Sequence, residues 1–136
     1  MTNKRTVWVN GKMIPWEQAT VPLLSHGFSR ASAIFEIFGV HQGAAGIFTF
    51  RMDEHLQRLE NSARLLEMEL AYTAEEIMAA VKETVRANNI GRGLIKILAY
   101  WSEEAVIHLI IDSKLDVAVF AIPESDELKL DQMDKP

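Results

Sequence analysis

The residues best suited to chemistry cluster in the middle of the chain. Arg51, His55 and Arg58 are spaced four and three apart, which places them near one face of a helix. Arg51 comes just before that helix. Free backbone N–H groups and the helix dipole favour an anion such as phosphate there, and an ordinary surface arginine meets the same description. His55 has no second histidine or carboxylate at the i+4 spacing of a helical zinc pair, so no metal is expected. It reads as a histidine that hydrogen-bonds nearby backbone or packs beneath its helix. Glu36 stands among Ile34, Phe35, Ile37 and Phe38 and needs a partner if buried; Arg30, Arg51 or a backbone turn could supply one. Lys96 interrupts the apolar run Leu94-Ile95-Lys96-Ile97-Leu98, on the strand face shared with Leu94, Leu98 and Tyr100. Its spacing favours a lysine guarding a sheet edge; a cleft lysine facing an anion is the alternative. Arg30 lies among small residues just before a strand, where it is either solvated or paired with a carboxylate. Ser25 and His26 lack a Gly-x-Ser-x-Gly elbow, and adjacency alone makes no triad. His26-Gly27 reads as a structural turn.

The elements that must position these groups follow from local patterns. Residues 6–9 are strand formers, Asn10-Gly11 suits a type I′ turn, and residues 12–14 return as the second strand of a hairpin. Residues 15–22 form a connecting loop, and residues 23–32 a loop with a short helical turn. Residues 33–40 predict a mostly buried strand, residues 42–46 a turn and residues 47–50 a returning strand. After Arg51, Met52, Leu56, Leu59, Ala63 and Leu66 make one helical stripe. Thr73-Ala74-Glu75-Glu76 is a capping box opening a second helix, whose buried stripe is Ile77, Val81 and Val85 and which stops at Asn88-Asn89 and Gly91. Residues 94–101, 106–111 and 115–122 read as strands. The order implies an α+β fold: an antiparallel sheet with two main helices packed on one side.

Composition narrows the function classes. The 136 residues carry a net charge of −5, which argues against a nucleic-acid surface. The sequence has no cysteine, so disulfides, thiolate metal sites and cysteine nucleophiles are excluded, and cytoplasm is the default compartment. No apolar stretch approaches the roughly 20 residues needed to span a bilayer, so no membrane partner is expected.

Taken in order, these pieces resemble class IV aminotransferases, the fold-type-IV pyridoxal-phosphate proteins. That family includes branched-chain aminotransferases, D-amino acid transaminases and aminodeoxychorismate lyases. The resemblance is carried by Val7-Trp8-Val9-Asn10-Gly11, His26-Gly27, Phe35-Glu36, Phe50-Arg51, Glu54-His55-Leu56-x-Arg58-Leu59-x-x-Ser62-Ala63 and Leu94-Ile95-Lys96. It covers residues 6–123. It implies that residues 1–123 are the small N-terminal domain and that residues 124–136 are a linker toward a missing C-terminal domain. It also implies a homodimer. Arg51 would hold the phosphate of pyridoxal 5′-phosphate, while Arg30, Phe35 and Lys96 would line the substrate side. Lys96 stands where the family often has arginine, keeping the charge and losing the bidentate fork. Arg30 replaces a tyrosine or phenylalanine, and Gly39 an arginine. The family's Schiff-base lysine lies in the second domain, and none of the seven lysines here matches it, so no catalytic residue is expected in this chain. Three functions follow as expectations. The first is the N-terminal domain of an aminotransferase moving an amino group between an amino acid and a 2-keto acid, inactive alone. The second is the same domain of an aminodeoxychorismate lyase, and the third a non-catalytic dimerisation domain.

Overall fold

The computed structural model describes residues 4–107 and 113–125. Strand β1 (Thr6–Val9) and strand β2 (Lys12–Pro15) form the expected hairpin. Asn10 and Gly11 adopt φ values of 48° and 91°, the positive pair that a type I′ turn requires. After a 3-10 turn at Trp16–Gln18 and a one-turn helix α1 (His26–Ser29), strand β3 (Ile34–Gly43) pairs with β4 (Gly46–Thr49). Both strands reach further into the connection than the sequence suggested, so the turn shrinks to Ala44 and Ala45. Helices α2 (Met52–Leu65) and α3 (Ala74–Ala87) follow, then strands β5 (Arg92–Tyr100) and β6 (Asp116–Pro123). The sheet order is β2-β1-β6-β5-β3-β4, and every neighbouring pair is antiparallel.

Both helices cover one face of this sheet. Leu56 and Leu59 of α2 meet Ile77, Val81 and Val85 of α3 over Ile95, Ile97, Val117 and Val119, all almost fully buried. Each such side chain contributes roughly 1.5–3 kcal/mol relative to exposure. The stripe of α2 stops one turn earlier than its periodicity suggested. Leu66 is the half-exposed C-cap, and Glu67 turns left-handed at φ 58° so that the Met68 N–H reaches the Ala63 carbonyl at 2.8 Å. The capping box of α3 is present, with the Thr73 hydroxyl accepting from the Glu76 N–H and the Glu76 carboxylate accepting from the Thr73 N–H. Asn88 does more than end α3. Its side chain accepts from the Thr6 N–H and donates to the Thr6 carbonyl, at 2.8 and 2.9 Å, tying the helix to β1.

Two expected strands change character. Strand β3 is buried on one face only. Glu36, Phe38 and Val40 point to the helices, whereas Phe35 and Ile37 stand exposed on the open face, which neither helix covers. At 106–111, Val106 and Ile107 are exposed and outside any strand, and residues 108–111 lie outside the described residues. The expected linker at 124–136 lies outside them beyond Ser125. Among the described residues, no helix is long and apolar enough to cross a membrane.

Candidate functional site

Glu36 points into the helix-covered side of β3 and is only 4% exposed, between apolar neighbours that offer it no hydrogen bond. Its partners are neither Arg30, Arg51 nor a turn, the candidates its local sequence offered. Instead α2 brings two groups down onto it. His55 Nδ1 lies 2.8 Å from Oε1, and since a carboxylate only accepts, Nδ1 carries the proton. Arg58 Nε donates to both carboxylate oxygens at 3.0 Å, and its terminal nitrogen lies 2.9 Å from Oε1. The hydrogen bond and charge of Glu36 hold the Arg58 guanidinium above its ordinary pKa. The His55 ring also stacks on Phe38, with ring centres 5.2 Å apart and planes 25° from parallel. His55 therefore packs beneath its helix as the sequence suggested, but on a side-chain carboxylate.

One turn up the same helix, Arg51 is the N-cap of α2, with φ 54° and ψ 42° and no side-chain cap. A non-glycine residue in this left-handed region is strained by about 1–3 kcal/mol and persists where its surroundings dictate it. Its carbonyl accepts the first helical hydrogen bond from the His55 N–H at 3.0 Å. The guanidinium is exposed, 5.3 Å over the Phe50 ring, and only loosely paired with Glu54 at 3.8 Å. It is thus a cation beside the free N–H groups of a helix start, open to solvent.

Lys96 occupies the centre of the sheet. Strand β5 is hydrogen-bonded to β3 on one side and to β6 on the other, so the edge-guard reading fails. The alternation of β5 puts Lys96 on the open face with Leu94, Leu98 and Tyr100, opposite Ile37 and Phe120. Its ammonium lies 5.0 Å over the Phe35 ring, so these two expected site residues are brought together. A groove of about 280 Å³ opens on the same face, floored by Leu98, Ala118 and Phe120 and walled by residues 18–21 and Phe28. A second depression of about 260 Å³ lies beside Gly39, between Phe48, Phe50 and Leu94. Tyr100 lines the larger groove, and burial, with Asp116 nearby, pushes its phenol up to about 12.

Arg30 is the C-cap of α1, and its guanidinium reaches the Ile107 carbonyl at 3.4 Å, in the loop after β5. Among the described residues its partner is backbone and not a carboxylate. His26 is buried with Nδ1 2.7 Å from the Ser32 hydroxyl and its ring edge-on to Trp101, so the structural-turn reading describes what is seen. Gly27 sits in a tight place, because a Cβ there would lie 3.2 Å from the Trp101 carbonyl oxygen and displace it by a few tenths of an ångström. Arg58 was visible in the helical spacing, but its pairing with Glu36 was not.

Of the expected site residues the structure brings Lys96 and Phe35 together, and an amine on an apolar sheet face can attract a small anion that also carries a hydrocarbon part. An antiparallel sheet with helices on one face is the architecture of the N-terminal domain of one group of aminotransferases. The family model for amino-transferase class IV matches residues 33–133. A branched-chain-amino-acid aminotransferase of Salmonella typhimurium is 32% identical over 102 residues, covering 74% of this chain and 33% of its own length. A probable branched-chain-amino-acid aminotransferase of Rickettsia bellii is 32% identical over 119 residues, covering 86% and 39%. Among solved structures, the branched-chain aminotransferase of Thermoproteus uzoniensis with norvaline superposes with a TM-score of 0.84 at 32% identity, over 93% of this chain and 43% of that one. This chain belongs to the class IV aminotransferase family. It spans about a third of the length of the Salmonella relative.

Proposed function

We propose that this chain serves as the N-terminal domain of a pyridoxal-phosphate-dependent aminotransferase of the branched-chain type. In this reading it acts together with a second domain bearing the Schiff-base lysine, and it does not turn over alone. The observation that carries the reading is Arg51, an exposed cation at the start of α2, over the Phe50 ring that lines the second depression. The donor set fits the phosphate end of the cofactor, since a helix start supplies N–H groups and arginine supplies a charge-assisted pair. One solved branched-chain aminotransferase, 30% identical to this chain, was crystallised with N-(5'-phosphopyridoxyl)-L-glutamate, which supports the assignment. When bound, the cofactor supplies the electron sink that allows the bond between substrate Cα and hydrogen to break. This chain's own residues bind and orient. Phe35 and Ile37 give a hydrocarbon side chain a dry floor. Lys96 attracts a carboxylate as a point charge, without the two-pronged geometry of arginine. Arg30, reaching across to the loop after β5, closes the substrate side. Exposed Leu23, Phe28 and Ile107 give the second domain or a second copy an apolar surface to sit on, in a cytoplasmic homodimer. The branched-chain names of the relatives favour amino transfer over elimination.

The test is an amide-shift titration of the chain with pyridoxal phosphate, followed by borohydride trapping and an assay of amino transfer from leucine to a 2-keto acid. Expected are shifts centred on Arg51 and the first turn of α2, with no turnover. Absence of shifts there removes the phosphate assignment. Steady amino transfer with an adduct trapped on one lysine of this chain overturns the claim that a second domain is needed.

A further inference from the structure

We propose that Glu36, His55 and Arg58 are positioning residues that fix the pose of Arg51. The purpose of that pose rests on the phosphate reading above; the geometry does not. The left-handed backbone at Arg51, φ 54°, is unfavourable for a side chain with a Cβ and has no capping side chain to hold it. Something must therefore impose it. The apolar stripe of α2 fixes the helix against the sheet through Met52, Leu56, Leu59 and Ala63, and the Phe50 N–H donates to the Gly39 carbonyl at 3.0 Å, so both neighbours of Arg51 are anchored. On Arg51 itself a further, polar constraint comes from His55. Its N–H holds the Arg51 carbonyl at 3.0 Å, while its ring is clamped by the Glu36 carboxylate at 2.8 Å and by Phe38 in a stack. Main chain and side chain of one residue thus link the strained N-cap to strand β3. Arg58 completes the clamp by holding both oxygens of the same carboxylate, which keeps Oε1 aimed at His55.

The placement of the carboxylate supports a geometric role. Glu36 is almost fully buried at a position where an apolar side chain of similar size would sit beside Phe38 on the covered face. Replacing a buried ionic group by such a residue is often neutral or stabilising, so stability alone gives weak reason for a glutamate here. Its two contacts lie one and two helical turns from Arg51, and the nearer, His55, is the residue that bonds the Arg51 carbonyl.

The experiment measures the Arg51 backbone directly by nuclear magnetic resonance on the full chain, with no ligand. A positive φ brings the amide proton of Arg51 close to its own Hα and gives a strong intraresidue Overhauser signal. In Glu36→Leu and His55→Ala that signal is expected to be lost, with the Arg51 amide shift moving. In Glu36→Gln, which retains an oxygen acceptor, it is expected to be partly kept. Val85→Ala, a cavity on the far helix, controls for general loss of stability and is expected to keep the signal. If Glu36→Leu folds and Arg51 keeps its signal, the apolar stripe alone sets the pose and the proposal is overturned. If Val85→Ala loses the signal as readily, the effect is global and the proposal is overturned as well. Neither result depends on whether phosphate binds.

Discussion

Arg51 allows a sharp separation of backbone strain from side-chain chemistry. Consider Arg51→Gly and Arg51→Ala side by side. Both remove the guanidinium, and with it the 3.8 Å pair to Glu54 and the contact over Phe50. Those exposed contacts are worth about 0–1 kcal/mol each and cancel in the comparison. What remains is the backbone. At φ 54° alanine keeps the left-handed penalty of roughly 1–2 kcal/mol, whereas glycine does not. Glycine gives back about 0.4–1 kcal/mol through the greater freedom of its unfolded chain. The N-cap position adds a preference of the same sign. Arg51→Gly is therefore expected to be more stable than Arg51→Ala by about 1 kcal/mol, roughly 4 °C in Tm for a domain of this size. Urea unfolding with both variants measures the difference. In a parallel titration with pyridoxal phosphate, both variants are expected to lose affinity together. The loss of one charge-assisted hydrogen bond, about 1.5–3 kcal/mol, corresponds to about 10- to 150-fold. An alanine variant as stable as the glycine variant would refute the strained pose, and with it the clamp proposed for Glu36 and His55. A glycine variant that keeps full affinity would leave the pose intact and remove Arg51 from the anion site.

Two further outcomes follow from the groove wall. Tyr100 has its phenol raised from 10.0 to about 12, so the folded state keeps a proton that the unfolded chain loses. Its contribution is fully present below pH 10 and is lost as pH rises toward 12. Tyr100→Phe should flatten that alkaline fall in urea-unfolding stability, and an unchanged fall would place its cause elsewhere. Gly27→Ala adds a Cβ 3.2 Å from both the Trp101 carbonyl oxygen and the Tyr100 Cβ, one of them backbone that yields poorly. It should cost about 1–3 kcal/mol by thermal unfolding; a neutral result would show that α1 shifts freely against β5.

Local chemistry made much of the molecule legible from its sequence. Asn10-Gly11 specified a hairpin because few other pairs accept two positive φ values. Thr73 and Glu76 specified where α3 begins, since the capping box is completed within four residues. The apolar periods of α2 and α3, with short links between most strands, determined the α+β class and put Arg51 at a helix start. Tertiary structure alone decided what depended on distant partners. Whether Lys96 guards an edge or stands mid-sheet turns on which strands flank β5, and strand order is not encoded within the strand itself. The partners of Glu36 come from 19 and 22 residues away. A run such as Ile-Phe-Glu-Ile-Phe does not reveal which of its faces will be covered, so Phe35 looked buried and is exposed. Asn88 read as a helix stop, and its bonds to Thr6 span 82 positions. Hydrogen bonds and helical periods act within a few residues and can be read there; side-chain pairing and face coverage are set only when the sheet closes.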